Sequence, residues 1–227
     1  MLKGFITDMG HVLIDVSKKK IFSGFARALG GNNEENMKLL MQRWDDSKEK
    51  MPLNALLGRG MISPCFFYRT MCSVLGLPQA MLTYSEFCAA FNSGFHEHKE
   101  MTGELNTLKS KFEMMLMITN INDIHFRYLT NEMRHIFTPF DNIIASHLVG
   151  LRKPEREIYE LAKALLEKKG INPQTEAIFV DDVLDNIMAA RRAGIGHTYW
   201  FRPENGVELN VKRLKQYISN VGEVTLD

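Results

Sequence analysis

An α/β fold, with helices on both faces of a parallel sheet and an all-helical insertion, is what this sequence predicts. Three observations predict it. Short, continuous apolar runs recur at residues 2–7, 112–118, 142–146, 177–180 and 196–201, the pattern of strands buried on both faces. Segments with helical spacing alternate with those runs after Gly103, as βαβ units require. From about Ser17 to His98 the pattern is helical with hardly any strand signal, so that block interrupts the alternation directly after the first strand.

The elements follow in order. Leu2-Lys3-Gly4-Phe5-Ile6-Thr7 is a strand that stops at Asp8, and a second apolar run, Val12-Leu13-Ile14, follows Gly10. Asn32-Asn33 precede a stretch over 34–50 with Met37, Leu40, Met41 and Trp44 at helical spacing. Ser63-Pro64 open a helix that ends at Gly76 and Pro78, and Thr83 with Glu86 is a capping-box pattern before Phe87. In the second half, helices are expected over 124–133, over 154–169 with Pro154 in the first turn, and over 183–193 closed by Gly194. The expected division is an α/β core from 1–15 and 99–227, with a helical cap over 16–98.

Composition bounds the function classes. The 227 residues are 45% hydrophobic and carry 28 Lys+Arg against 27 Asp+Glu. That supports a real core and gives no electrostatic reason to expect nucleic acid or an anionic membrane as partner. No apolar stretch is long enough to span a bilayer, and Asp8 interrupts the first apolar run, unlike a signal peptide. Three cysteines, Cys65, Cys72 and Cys88, without CxxC spacing fit a reducing cytoplasm better than a disulfide framework or a structural zinc. Oligomeric state leaves no mark in the sequence.

In open α/β sheets ligands bind beyond the carboxyl ends of the strands. The first polar groups there are Asp8, then Thr119 and Asn120, then Lys153, then Asp181 and Asp182. Each has an ordinary structural reading as a cap or turn residue; together they are the inventory of magnesium-dependent phosphoryl transfer. Clustered carboxylates need a cation, and Mg²⁺ is usually held by one or two carboxylates with waters and a phosphate. An aspartate can attack phosphorus and form an aspartyl phosphate. Lysine and hydroxyl groups then meet the charge on the transferred group.

These residues resemble the haloacid dehalogenase-like (HAD) hydrolases. The motifs are Thr7-Asp8-Met9-Gly10-His11-Val12-Leu13-Ile14-Asp15, Met117-Ile118-Thr119-Asn120, Gly150-Leu151-Arg152-Lys153-Pro154-Glu155, and Phe179-Val180-Asp181-Asp182 through Asn186 to Gly194. The insertion, with Gly58-Arg59-Gly60, resembles the small cap of subclass I. The first and third motifs look most like the bacterial α-D-glucose-1-phosphate phosphatase branch. The resemblance implies a Rossmann-like core and Asp8 as nucleophile. It also implies Mg²⁺ bound by Asp8, the Gly10 carbonyl and Asp182, supported by Asp181 and Asn186. Thr119, Asn120 and Lys153 would hold the phosphate of a small-molecule ester such as a sugar 1-phosphate.

One position departs from most phosphatases of that family. Their second aspartate, two residues after the nucleophile, is here Gly10, which can neither protonate a leaving group nor activate water. Acid–base help of this kind contributes roughly 10²–10⁴ in rate. The expected reading is a phosphatase for esters with good leaving groups, or one using another proton carrier, for which His11 is a candidate. The alternatives are a metal-free dehalogenase acting through Asp8 and a non-catalytic binding module. Trp44 and Arg59 are candidate substrate contacts. His96 and His98 read as surface histidines of the hinge, since no third metal ligand is suggested near them.

Overall fold

The computed structural model describes residues 1–28, 53–75 and 82–223, together with Lys38 and Gln42. The helix expected over 34–50, with Trp44, and the stop at Gly76 and Pro78 lie outside the described residues. In chain order the strands are β1 (Gly4–Thr7), β2 (Ile14–Val16), β3 (Phe95–Glu97), β4 (Met114–Thr119), β5 (Asn142–Ala145), β6 (Ala177–Asp181) and β7 (His197–Trp200). The helices are α1 (Lys18–Ala28), α2 (Leu53–Gly58), α3 (Pro64–Leu75), α4 (Tyr84–Asn92), α5 (Lys99–Thr102), α6 (Leu105–Lys111), α7 (Asp123–Glu132), α8 (Arg134–Phe137), α9 (Ser146–Val149), α10 (Arg156–Lys168), α11 (Pro173–Glu176), α12 (Leu184–Arg192) and α13 (Val207–Glu223).

Five strands form one parallel sheet in the order β5-β4-β1-β6-β7. Strand alternation divides its side chains between two layers. Phe5, Met115, Met117, Ile178 and Val180 pack into a cluster on one face with Leu105, Leu129 and Leu214. Ile6, Leu116, Ile118 and Phe179 face the other side, against Ile158, Tyr159, Ala162 and Leu166 of α10. The fold is therefore α/β, with a Rossmann-like sheet covered on both faces. Because the strands are parallel and β1 is central, the chain turns after Thr7, Thr119 and Asp181 all lie along one edge.

The helices between β2 and β3 bury a third cluster, in which Phe22, Phe25, Phe67, Phe87 and Phe91 meet. The capping box at α4 is present: Thr83 Oγ1 accepts from the Glu86 N–H at 3.2 Å, and Glu86 accepts from the Thr83 N–H at 2.8 Å. Two expectations are corrected. The block from Ser17 to His98 is not free of strand, since Phe95–Glu97 pairs antiparallel with Ile14–Val16. Three residues with one apolar member carry too little alternation to show as a strand, and their partner lies far away in sequence. Nor does Pro154 sit in the first turn of a helix: it follows a cis peptide bond after Lys153, and α10 starts at Arg156.

Candidate active site

β1 delivers Asp8 to the carboxyl edge of the sheet, where its N–H donates to the Val180 carbonyl of β6 at 2.8 Å. The Asp8 carboxylate is fixed through Oδ1, which accepts from the Met9 N–H at 2.6 Å and pairs with Lys153 Nζ at 2.8 Å. Lys153 comes from the loop after α9, and its ammonium is buried between Asp8 and Asp181, whose Oδ2 is 2.6 Å away. The other oxygen of Asp181 accepts from the Val183 N–H at 2.8 Å and from Asn186 Nδ2 at 2.9 Å. Asp181 is thus fully occupied in holding Lys153, and Asn186 in holding Asp181.

Asn120 has a related task. Its Nδ2 donates to the Lys153 carbonyl and its Oδ1 accepts from the Lys153 N–H, both at 2.9 Å. The side chain amide braces the lysine loop, so any contact of Asn120 with a bound phosphate falls to its backbone. Thr119, at the end of β4, is buried and lines the same cavity as Asp8, Lys153 and Asp182.

Asp182 is half-buried, and one carboxylate oxygen from each of Asp8, Asp181 and Asp182 lies within 4.8 Å of the other two. Burial pushes the Asp8 carboxyl up to about 7, against the pull of Lys153 and with the push of Asp181. Burial also raises Asp182, helped by Asp181. Carboxylates crowded and desolvated in this way favour a cation among them. Asp181 is already committed to Lys153, so Asp8 and Asp182 are the carboxylates that fit a hard, oxygen-seeking ion.

Gly10 opens onto this group. A Cβ placed there would meet only Asp8 Oδ2, at 4.0 Å. His11 adopts a left-handed backbone (φ 54°) and turns its Nδ1 to Asp15 Oδ1 at 2.7 Å, at the exposed rim of the cavity. Arg59 points elsewhere: its guanidinium pairs with Glu155 and donates to the Gly150 carbonyl. It docks the insertion onto the lysine loop instead of lining the cavity.

The cavity between insertion and sheet has a volume of about 480 Å³. Its floor is Asp8, Thr119, Lys153 and Asp182; its upper walls include Ile14, Val16, Ile21, Phe22, Phe91 and Phe95. His125, at the start of α7, also lines it, with Nδ1 2.7 Å from Asn92 Oδ1 and its ring 4.1 Å from that of Phe91. Burial pushes this imidazole down to about 3, so it is neutral near pH 7. His125 occupies one position of an ordinary amphipathic helix, and its own spacing does not single it out. The spacing of Asn122, whose Oδ1 caps the His125 N–H at 2.9 Å, was the only local signal.

A family model described as a haloacid dehalogenase-like hydrolase matches residues 75–194. A sesquiterpene phosphatase from Aspergillus oryzae is 36% identical over 140 residues, covering 60% of this chain and 66% of that protein; the match spans just under two thirds of the relative's length. A HAD family enzyme from Bacteroides thetaiotaomicron, solved with magnesium and inorganic phosphate, superposes with a TM-score of 0.69 at 23% identity, over 88% of this chain and 94% of that one. A HAD-like family hydrolase from Porphyromonas gingivalis gives 0.72 at 21% identity, over 95% and 98%. An L-2-haloacid dehalogenase gives 0.63 at 19% identity, over 89% and 84%. At these identities the solved structures speak for the fold.

Proposed function

Since the chain belongs to the haloacid dehalogenase-like hydrolase family, we propose that it is a Mg²⁺-dependent phosphatase acting through an aspartyl phosphate on Asp8, on an ester whose alcohol portion is largely apolar. The observation that carries this reading is the cavity, with charged groups at its floor and aliphatic and aromatic side chains above them. Burying apolar surface contributes roughly 25 cal/mol per Å². Among the described lining residues a sugar, whose hydroxyls each need a partner, would meet Ile14, Val16, Ile21, Phe22, Phe91 and Phe95 together with the polar Lys18, Asn54, Asn122, His125 and Arg152, and the apolar members favour an apolar alcohol. The sesquiterpene phosphatase among the relatives supports the same class of alcohol. The sugar 1-phosphate expected from the motifs is the less favoured substrate.

Asp8 Oδ1 is held by Met9 and Lys153, which leaves Oδ2 to attack phosphorus as the P–O bond to the alcohol breaks; the departing oxygen takes its proton from water, and a second water then hydrolyses the aspartyl phosphate to phosphate and free Asp8. Lys153 would balance the charge of nucleophile and phosphoryl group, and the Thr119 hydroxyl would hydrogen-bond a non-bridging oxygen. Asp8, the Gly10 carbonyl and Asp182 would hold the ion, which supplies positive charge against the phosphate oxygens. The carboxylate pair disfavours the dehalogenase alternative, because that metal-free chemistry has no use for Asp182 beside Asp181.

The test is hydrolysis of a prenyl monophosphate and a sugar 1-phosphate, with and without Mg²⁺, by the full chain and by Asp8→Asn. The expected outcome is Mg²⁺-dependent release of phosphate, a kcat/KM at least about tenfold higher for the prenyl ester, as ~1.4 kcal/mol of extra apolar contact gives, and none with Asp8→Asn. Turnover by Asp8→Asn would overturn the mechanism. A preference for the sugar ester would overturn the substrate class alone.

A further inference from the structure

The antiparallel β2–β3 pair that joins the insertion to the sheet domain carries a second group of metal-ligating side chains. The ring of His98, one residue past the end of β3, has its centroid 6.2 Å from that of His96, and register sets Asp15 of β2 directly opposite His96 of β3. One ligand-type atom from each of Asp15, His96 and His98 lies within 4.8 Å of the other two. His96 Nε2 is 3.2 Å from Asp15 Oδ2. Two ligands bonded to one tetrahedral ion at roughly 2.0–2.2 Å stand about 3.3 Å apart, so this pair already has the required separation. The sequence expectation of no third ligand fails because Asp15 is brought to the histidines only by the β2–β3 pairing.

The neighbouring hydrogen bonds prepare these atoms. The Val12 carbonyl, which only accepts, takes His98 Nδ1 at 3.2 Å. That nitrogen therefore carries the proton and Nε2 keeps its lone pair, the outer-sphere arrangement typical of metal-bound histidine. The Val16 N–H and His11 Nδ1 converge on Asp15 Oδ1, each at 2.7 Å, and leave Oδ2 turned toward His96.

We propose that Asp15, His96 and His98 bind a divalent transition-metal ion of the zinc class, with a fourth position open to water. Two imidazoles and one carboxylate select such ions over magnesium, which prefers an all-oxygen set. The site is therefore chemically distinct from the carboxylates around Asp8. An ion here clips β2 to β3, the two strands through which the chain leaves and re-enters the sheet domain. Through His11 it also bears on the loop that follows Asp8.

The full chain, stripped with chelator and kept in excess Mg²⁺, is titrated with Co²⁺ and followed by its visible absorption. One equivalent is expected to give a d–d band. His96→Ala and Asp15→Asn are each expected to weaken Co²⁺ binding by at least about tenfold, since even outer-sphere changes cost roughly 10–100-fold, while Asp182→Asn leaves the band intact. Circular dichroism reports folding, and His96→Gln keeps the bulk of the side chain should His96→Ala disturb the strand pair. No band at millimolar cobalt, or a band unchanged in both His96 variants, overturns the proposal. So does a band lost in Asp182→Asn, because the ion then sits with the carboxylates.

Discussion

Lys153 couples the packing of the sheet edge to the proposed chemistry through one side chain. Its buried ammonium stands between Asp8 and Asp181, and removing it leaves two carboxylates in a low-dielectric pocket without their countercharge. Breaking a buried pair from one side typically costs about 3–5 kcal/mol. Lys153→Gln is therefore expected to lower the unfolding free energy measured by urea denaturation by an amount of that order and to abolish hydrolysis. Gly10 gives the opposite kind of prediction. Its neighbourhood has room for a side chain facing Asp8 Oδ2, so Gly10→Asp should fold and supply the missing proton carrier. Its rate on esters with poor leaving groups should rise by up to roughly 10²–10⁴, measured as kcat against leaving-group pKa. His125 predicts a pH effect on stability. Unfolded, an imidazole takes up its proton near 6.5; here burial delays that to about 3. Between those values the unfolded state binds the extra proton, so stability present above the upper value is lost as pH falls through the window. Chemical denaturation between about pH 7 and 5 should show this slope in the native chain and a flatter one in His125→Gln.

Among the elements, α2 is fitted closely to α9 and to the loop after it that carries Lys153. Ser146 Oγ donates to the Gly58 carbonyl at 2.6 Å and accepts from the Ile121 N–H at 2.9 Å, while Arg59 grips Glu155 and the Gly150 carbonyl. Gly60 has φ +68°, and a Cβ there would come within 2.3 Å of the His147 carbonyl oxygen. Gly60→Ala should therefore separate α2 from the loop, with a stability loss of at least roughly 1–3 kcal/mol and a raised KM. Gly150→Ala is the control: it shares a left-handed backbone (φ +74°) but meets nothing within 4 Å, so only the conformational cost of about 1–2 kcal/mol remains. None of this docking could be read from the sequence. Gly58-Arg59-Gly60 was visible as punctuation, but its partners lie around residues 146–155 and are defined only once both segments are folded. The helix boundaries, by contrast, were visible wherever caps and glycines mark them, as at Thr83 and Gly194.

Across the whole molecule, the parallel sheet was legible because strands covered on both faces are forced into unbroken apolar runs. Met114–Thr119 and Ala177–Asp181 are buried along their full length. The polar residues at their ends were legible for the complementary reason, since a charged group directly after such a run needs a purpose. The β2–β3 pair and His125 were not legible, because each derives its meaning from partners distant in sequence and neither interrupts a local pattern. The apolar walls of the cavity were hidden for the same reason: Ile14, Phe22 and Phe95 belong to three different elements and read individually as core.

The central position of β1 also sets the order in which the protein can come into being. Gly4 pairs on one side with Met114 and on the other with Ala177. On the ribosome, β1 must therefore wait until β6 has been made. The helices of the insertion are complete long before that, and their aromatic cluster joins segments closer in sequence, which closes at lower entropic cost. Asp8 spends most of synthesis with neither Lys153 nor Asp182 beside it. The nascent chain gains its reactive centre only when its C-terminal third emerges, and until then the exposed edges of β1 are open to pairing with the wrong strand.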